Sequence, residues 1–150
     1  MAAPAAWIFQ AVPEQYDLRR ALAALDEDIW LAQRRASDMQ PGQAVFFWLA
    51  RKGGGLIAAG EILSRAEDQA APAWQMPFWM PAARIAAGIV KPRVRVKYTA
   101  KFVTRPLPRE LLKLDPVLAT QQPIGPVYVG TNFAVSAPAF HTLSARMKAH

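Results

Sequence analysis

The chain has 150 residues and a mass of 16.5 kDa, with 53% apolar and 19% charged residues, so a single compact domain over 1–150 is expected rather than a disordered chain. It has no cysteine and two histidines, His141 and His150, which excludes a disulfide framework, a Cys-ligated zinc site and a thiol nucleophile, and leaves little for a metal site or a histidine triad. The net charge of +7 is one block: nine basic residues and the single acid Glu110 lie between Arg84 and Lys113, while the rest of the chain nets −1. Clustered positive charge is a footprint of polyanion binding, nucleic acid first; it also describes a solvated face.

Trp7-Ile8-Phe9-Gln10-Ala11-Val12, stopped by Pro13, reads as a buried strand. Leu18, Ala21, Leu22 and Leu25 share one helical face, with Asp17 as N-cap and the acids Asp26-Glu27-Asp28 closing the helix as solvated charges. Ile29-Trp30-Leu31 is a short extended piece, and Met39-Gln40-Pro41-Gly42-Gln43 a turn. The runs 44–50 and 56–63 form a hairpin with Lys52-Gly53-Gly54-Gly55 at its tip.

Residues 66–88, rich in Ala and Pro, read as a long irregular loop carrying Trp74 and Trp79. From 91 to 102 the pattern alternates: Lys91, Arg93, Arg95, Lys97 and Lys101 on a watery face, Val94, Val96, Tyr98, Ala100 and Phe102 on the core face. Short helical turns open at Pro108 and Pro116, Val127-Tyr128-Val129 reads as a strand, and Ser136 caps a last helix with the stripe Phe140, Leu143 and Met147. Five or six strands and about three short helices, without β-α-β alternation, give an α+β class: a compact barrel or curved, mainly antiparallel sheet.

No nucleophile elbow, two-histidine metal helix or phosphate loop is present, so no catalysis and no cofactor are expected. The five tryptophans say more. Trp7 and Trp48 sit in strands and belong to the core. Trp30 precedes the polar run Gln33-Arg34-Arg35, and Trp74 and Trp79 lie on the Pro-rich loop. Aromatic planes beside basic residues are what base stacking needs, and a cage of rings suits a methyl group carrying partial positive charge; the same rings can also simply seal a core.

Five pieces in order resemble the EVE domain family, a PUA-like fold related to the YTH readers of methylated adenine in RNA. They are Trp7-Ile8-Phe9-Gln10-Ala11 with Pro13, Ile29-Trp30 with Arg34-Arg35, the turn and strand 39–46, Gly55 to Ile62, and Gly130-Thr131-Asn132-Phe133. Two positions depart from the pattern: Val12 stands where the family usually has Asn, and Val129 where it has Gln. An amide at either place could read a base edge, so the ligand need not be that of better-known members.

The resemblance implies a PUA-like curved sheet with short flanking helices and a pocket for one modified nucleobase, a methylated or otherwise substituted cytosine or adenine. The base would be flipped or single-stranded, in DNA or RNA. Trp30 would form one wall, Trp74 or Trp79 the lid, and Gln10, Ala11, Val12, Thr131 and Asn132 the base edge, although Gly130-Thr131-Asn132 also reads as a turn whose side chains cap backbone. Arg34, Arg35, Arg93, Arg95, Lys97 and Lys101 would hold phosphates. A cytoplasmic monomer without membrane contact is expected, acting alone or beside an effector protein. The other readings are a pocket for a free nucleotide-like molecule, as a sensor or enzyme, and a protein-interaction module using the basic strand.

Overall fold

The computed structural model describes residues 4–126 and 129–150. Strand β1 (Ala6–Ala11) is buried along its whole length because both faces of the sheet are covered there. That is why it reads as a continuous apolar run instead of alternating. Helix α1 (Leu18–Ala24) starts where expected, with the Asp17 carboxylate accepting the Arg20 amide. Strand β2 (Glu27–Leu31) begins earlier than its apolar residues suggest and takes in two of the three acids expected to be solvated. Asp28 is 1% exposed. Period two puts its side chain on the same inward face as Trp30.

Strands β3 (Ala44–Leu49) and β4 (Gly55–Ile62) form the expected hairpin. The segment 66–88 is not an irregular loop. It contains β5 (Glu67–Gln69), a 3-10 helix over Ala73–Phe78, a 3-10 turn over Pro81–Ala83, and α2 (Arg84–Ala87). Its prolines rule out a long α-helix but are compatible with short tight turns. Strand β6 (Lys91–Lys101) follows, then α3 (Arg109–Leu112), a 3-10 turn over Leu118–Thr120, β7 (Asn132–Val135) and α4 (Ala137–Lys148), capped by Ser136. The strand expected at 127–129 falls partly outside the described residues. Val129 is 96% exposed and outside every described strand, and the late strand is β7.

All seven strands belong to one sheet, ordered β2-β6-β4-β3-β1-β7, with β5 added against β6. Only β1 and β3 run parallel; the other described pairs are antiparallel. At Gly60 the β4–β6 register shifts, and a Cβ there would lie 1.8 Å from the Lys97 carbonyl oxygen, so the crossing requires glycine. The sheet curls into a half-barrel with one core on each face. Trp7, Phe9, Trp30, Phe47, Val96 and Tyr98 mark the inner core, and Ile8, Phe46, Trp48, Leu56 and Leu143 the outer one. Trp7 and Trp48 are core residues as expected, and α4 covers the outer core with Leu143, assisted by Phe140 and Met147.

The curl brings the two ends of the strand order together. The Asn132 side chain on β7 donates to the Leu31 carbonyl at the end of β2 (2.8 Å), and accepts from the Gln33 amide (2.9 Å). This α+β half-barrel has the PUA-like architecture expected from the motifs. No helix among the described residues is long and apolar enough to cross a membrane.

Candidate functional site

The clasp between β2 and β7 fixes the position of a narrow cleft. It is lined by Gln10, Ala11 and Val12 from the end of β1, Trp30 and Leu31 from β2, Tyr16 and Gln75 from the covering segments, and Trp79 and Thr131 at the rim. Tyr16 stands between the two indoles, its ring centroid 6.2 Å from that of Trp30 and 4.8 Å from that of Trp79. The cleft encloses about 50 Å3, space for one or two waters at ~30 Å3 each. A neighbouring cavity of about 390 Å3 shares Gln15, Leu31, Trp79 and Thr131 with it, so these four side by side separate the two spaces.

Behind the aromatic wall lies a buried polar network to which composition and motif do not point. The Asp28 carboxylate accepts from the hydroxyls of Tyr16 (2.8 Å) and Tyr98 (2.7 Å), from the Gln75 amide (2.7 Å), and from the backbone amide of Ile29 (2.8 Å). The Trp30 indole donates to the Tyr98 hydroxyl (3.0 Å), which ties the inner wall to the same anchor.

The Gln75 nitrogen also donates to the Ile29 carbonyl (2.7 Å), so its carbonyl oxygen must point the other way. There it accepts the Trp79 indole N–H at 3.0 Å. The chain Asp28–Gln75–Trp79 therefore sets the orientation of the outer indole from a group in the core. Burial raises the Asp28 carboxyl above the ordinary carboxylate range, against the pull of its hydrogen bonds from Tyr98, Gln75 and Tyr16. Burial likewise raises both tyrosine hydroxyls, and the Asp28 charge adds to it. The strand alternation of Asp28 with Trp30 is the sequence signal that identifies this group.

Of the residues expected at a base pocket, Gln10, Ala11, Val12, Trp30, Trp79 and Thr131 come together at the cleft. Trp74 does not: it is 49% exposed on the 3-10 helix and does not line the cleft. Asn132 is the β2–β7 clasp and lines the adjoining groove instead, in line with the backbone-capping reading of its motif. Gln10 donates its side-chain amide to the Gly130 carbonyl (2.9 Å) and its backbone amide to the Thr131 carbonyl (2.7 Å), which holds the 130–131 loop against β1.

The basic strand is organised differently from its sequence pattern. Arg93, expected on a watery face, is 1% exposed. The segment 67–90 folds over that part of β6, and the guanidinium donates to the carbonyls of Gln69, Ala87 and Ile89. Its guanidinium is committed to these carbonyls. Further along, Arg95 pairs with Glu27 (3.1 Å) and Lys101 with Asp26 (3.2 Å), while Lys97 sits in register between Glu27 and Glu61. Two cations on this face thus pair with carboxylates, and the third lies between two acidic positions of the neighbouring strands. Arg35 pairs with Asp38 (2.8 Å) and lies over the Trp7 ring, and Arg34 is exposed in the groove beside Asn132.

The whole chain has the shape of several solved structures. It matches a Pseudomonas syringae protein with a TM-score of 0.64 and 20% identity, over 95% of this chain and 99% of that one. A hypothetical protein from Leishmania major gives 0.63 and 18%, over 96% and 94%. A Pseudomonas putida protein gives 0.62 and 21%, over 94% and 98%. At these identities the likeness concerns the fold. Comparison with curated proteins returns no significant match. The EVE domain profile matches residues 5–139, which takes in β1, the Trp30 segment, the hairpin and the β7 motif, and the chain belongs to the EVE domain family.

Proposed function

We propose that this domain is a non-catalytic reader that takes one modified nucleobase of a nucleic acid strand between Trp79 and the wall formed by Tyr16 and Trp30. The observation that carries this reading is the meeting of Trp30, Tyr16 and Trp79 with the polar backbone of β1 and the 130–131 loop at the point where the half-barrel closes. Flat π-faces give a base stacking energy of about 1–3 kcal/mol, and backbone groups at the cleft edge supply donors and acceptors to its rim. The closed cleft is smaller than a base. Trp79 is the wall that yields, because it is part-exposed and held by one indole hydrogen bond, and its outward rotation joins the cleft to the neighbouring cavity. Trp30 is 6% exposed and packed on Phe9 and Phe47, so it is the fixed wall.

The test is a binding screen of methylated and otherwise substituted cytosine and adenine, as nucleosides and within single-stranded DNA and RNA, against the unmodified forms. The reading expects selective binding of at least one modified base, lost roughly tenfold or more in Trp79→Ala, as one stacking contact implies. Equal binding of every modified and unmodified form would refute it. Selective binding of a free nucleoside with no gain in an oligonucleotide would favour a small-molecule sensor.

A further inference from the structure

The positive charge dense in sequence between Arg84 and Lys113 is not dense in space. Arg93 is buried, Arg95 and Lys101 pair with Glu27 and Asp26, and Arg109 donates to the carbonyls of Ile124 and Gly125. Cations that line the grooves beside the cleft lie on two flanking loops. One groove, of about 540 Å3, runs past Arg34, Asn132 and Thr131. The other, of about 620 Å3, runs past Gln10, Val12, Arg51 and Lys52. The two meet at Val129 and Gly130, which line both.

We infer that a single-stranded nucleic acid crosses the mouth of the cleft along these two grooves, with backbone phosphates held by Arg34 on one side and by Arg51 and Lys52 on the other. This rests on the base-reading function proposed above. Among the described residues, Arg34 and Lys52 have no ion pair. Arg51 has one, to Glu14 at 3.0 Å, and both partners are 59% exposed, so solvent and a phosphate compete with it easily.

Arg51 is also the one described non-glycine residue with positive φ, at 80°. A conformation that glycine would adopt without strain is here occupied by a guanidinium at the rim of the site. Both loops are fastened to the scaffold. Arg19 on α1 donates to the Gly53 carbonyl (3.1 Å) and to that of Val103, and Asn132 accepts from the Gln33 amide next to Arg34. The cations are therefore presented on pre-formed loops, which lowers the ordering cost of binding.

The experiment measures anisotropy of fluorescein-labelled single-stranded DNA and RNA of about 12 nucleotides between roughly 50 and 200 mM NaCl. It compares the wild type with Arg34→Ala/Arg51→Gly/Lys52→Ala, in which glycine suits the positive φ, and with Arg95→Ala/Lys97→Ala. Circular dichroism melting checks the fold of each variant. Loss of three phosphate contacts should lower the slope of log affinity against log salt by about 2, at ~0.7 per contact, and weaken low-salt binding at least tenfold. The β6 variant should stay within about twofold of wild type, since Arg95 and Lys97 line neither groove.

An unchanged slope in the loop variant, or an equal loss in the β6 variant, would overturn the inference. A wild type that binds a modified nucleoside but shows no salt dependence with oligonucleotides would overturn it while leaving the pocket intact. A wild type that binds neither would overturn both.

Discussion

Asp28 holds both sides of the proposed pocket from behind, and its removal gives a quantitative check. Asp28→Ala takes the acceptor away from the Tyr16 and Tyr98 hydroxyls, the Gln75 amide and the Ile29 backbone amide. A buried donor left unsatisfied costs about 1–3 kcal/mol, and partial rescue by water entering the space lowers the sum, so a loss of about 3–5 kcal/mol is expected. Asp28→Asn keeps an oxygen for Gln75 and Ile29 and places an amide nitrogen against the two hydroxyls, which can turn to accept; a loss of about 1 kcal/mol is expected.

The pH dependence separates the two further. Because burial raises the Asp28 carboxyl in the folded chain, the folded state takes up a proton at a pH where the unfolded chain has not yet done so. Stability from this group therefore rises as pH falls through its folded pKa towards the ordinary value near 4, with a slope of at most about 1.4 kcal/mol per pH unit. Urea denaturation of wild type and Asp28→Asn from about pH 4 to about pH 8 reads the difference. The wild type should gain stability relative to the Asp28→Asn variant as pH falls. A difference flat with pH, or an Asp28→Ala loss under about 1 kcal/mol, would refute the network as described.

Other variants separate structural from binding roles. Arg93→Ala should cost about 2–4 kcal/mol, since three carbonyls lose their donor, whereas Lys97→Ala should fall within about 0.5 kcal/mol in the same urea assay. Gly60→Ala should destabilise by at least about 2 kcal/mol, because the new Cβ meets the Lys97 carbonyl and backbone must move. Trp30→Ala should lower stability by about 3–5 kcal/mol through its core cavity, so loss of binding in that variant must be read beside its melting curve. Trp74→Ala should leave both stability and base selectivity close to wild type, as measured by melting and by the nucleoside screen.

Much of this fold is legible in local patterns. The apolar runs of β1, β3 and β4, the capped helices α1 and α4, and the period-two pattern of β6 each depend on near neighbours. The fold then brings together six of the residues expected at the pocket, from positions 10–12, 30, 79 and 131. What local patterns miss depends on what covers a face. Alternation assigns Arg93 to the outside of its strand correctly, but the segment 67–90 turns that outside into an interior. Asp28 sits among acids that look solvated, and its alternation with Trp30 becomes readable only once the strand is known to start at Glu27 and pair with β6. Likewise, charge counted along 84–113 says nothing of Asp26, Glu27 and Glu61 arriving from neighbouring strands.

The central claim, that a base enters between Trp79 and the Tyr16–Trp30 wall, is tested most directly by the indole N–H signals of the protein in two-dimensional NMR. These signals can be assigned by single Trp→Phe variants and followed while the modified nucleoside selected by the screen is titrated. The Trp79 signal should shift most, as its hydrogen bond to Gln75 opens, with Trp30 following and the core residues Trp7 and Trp48 unmoved. Saturable binding that leaves Trp79 and Trp30 unchanged, or that moves Trp74 alone, would contradict the account.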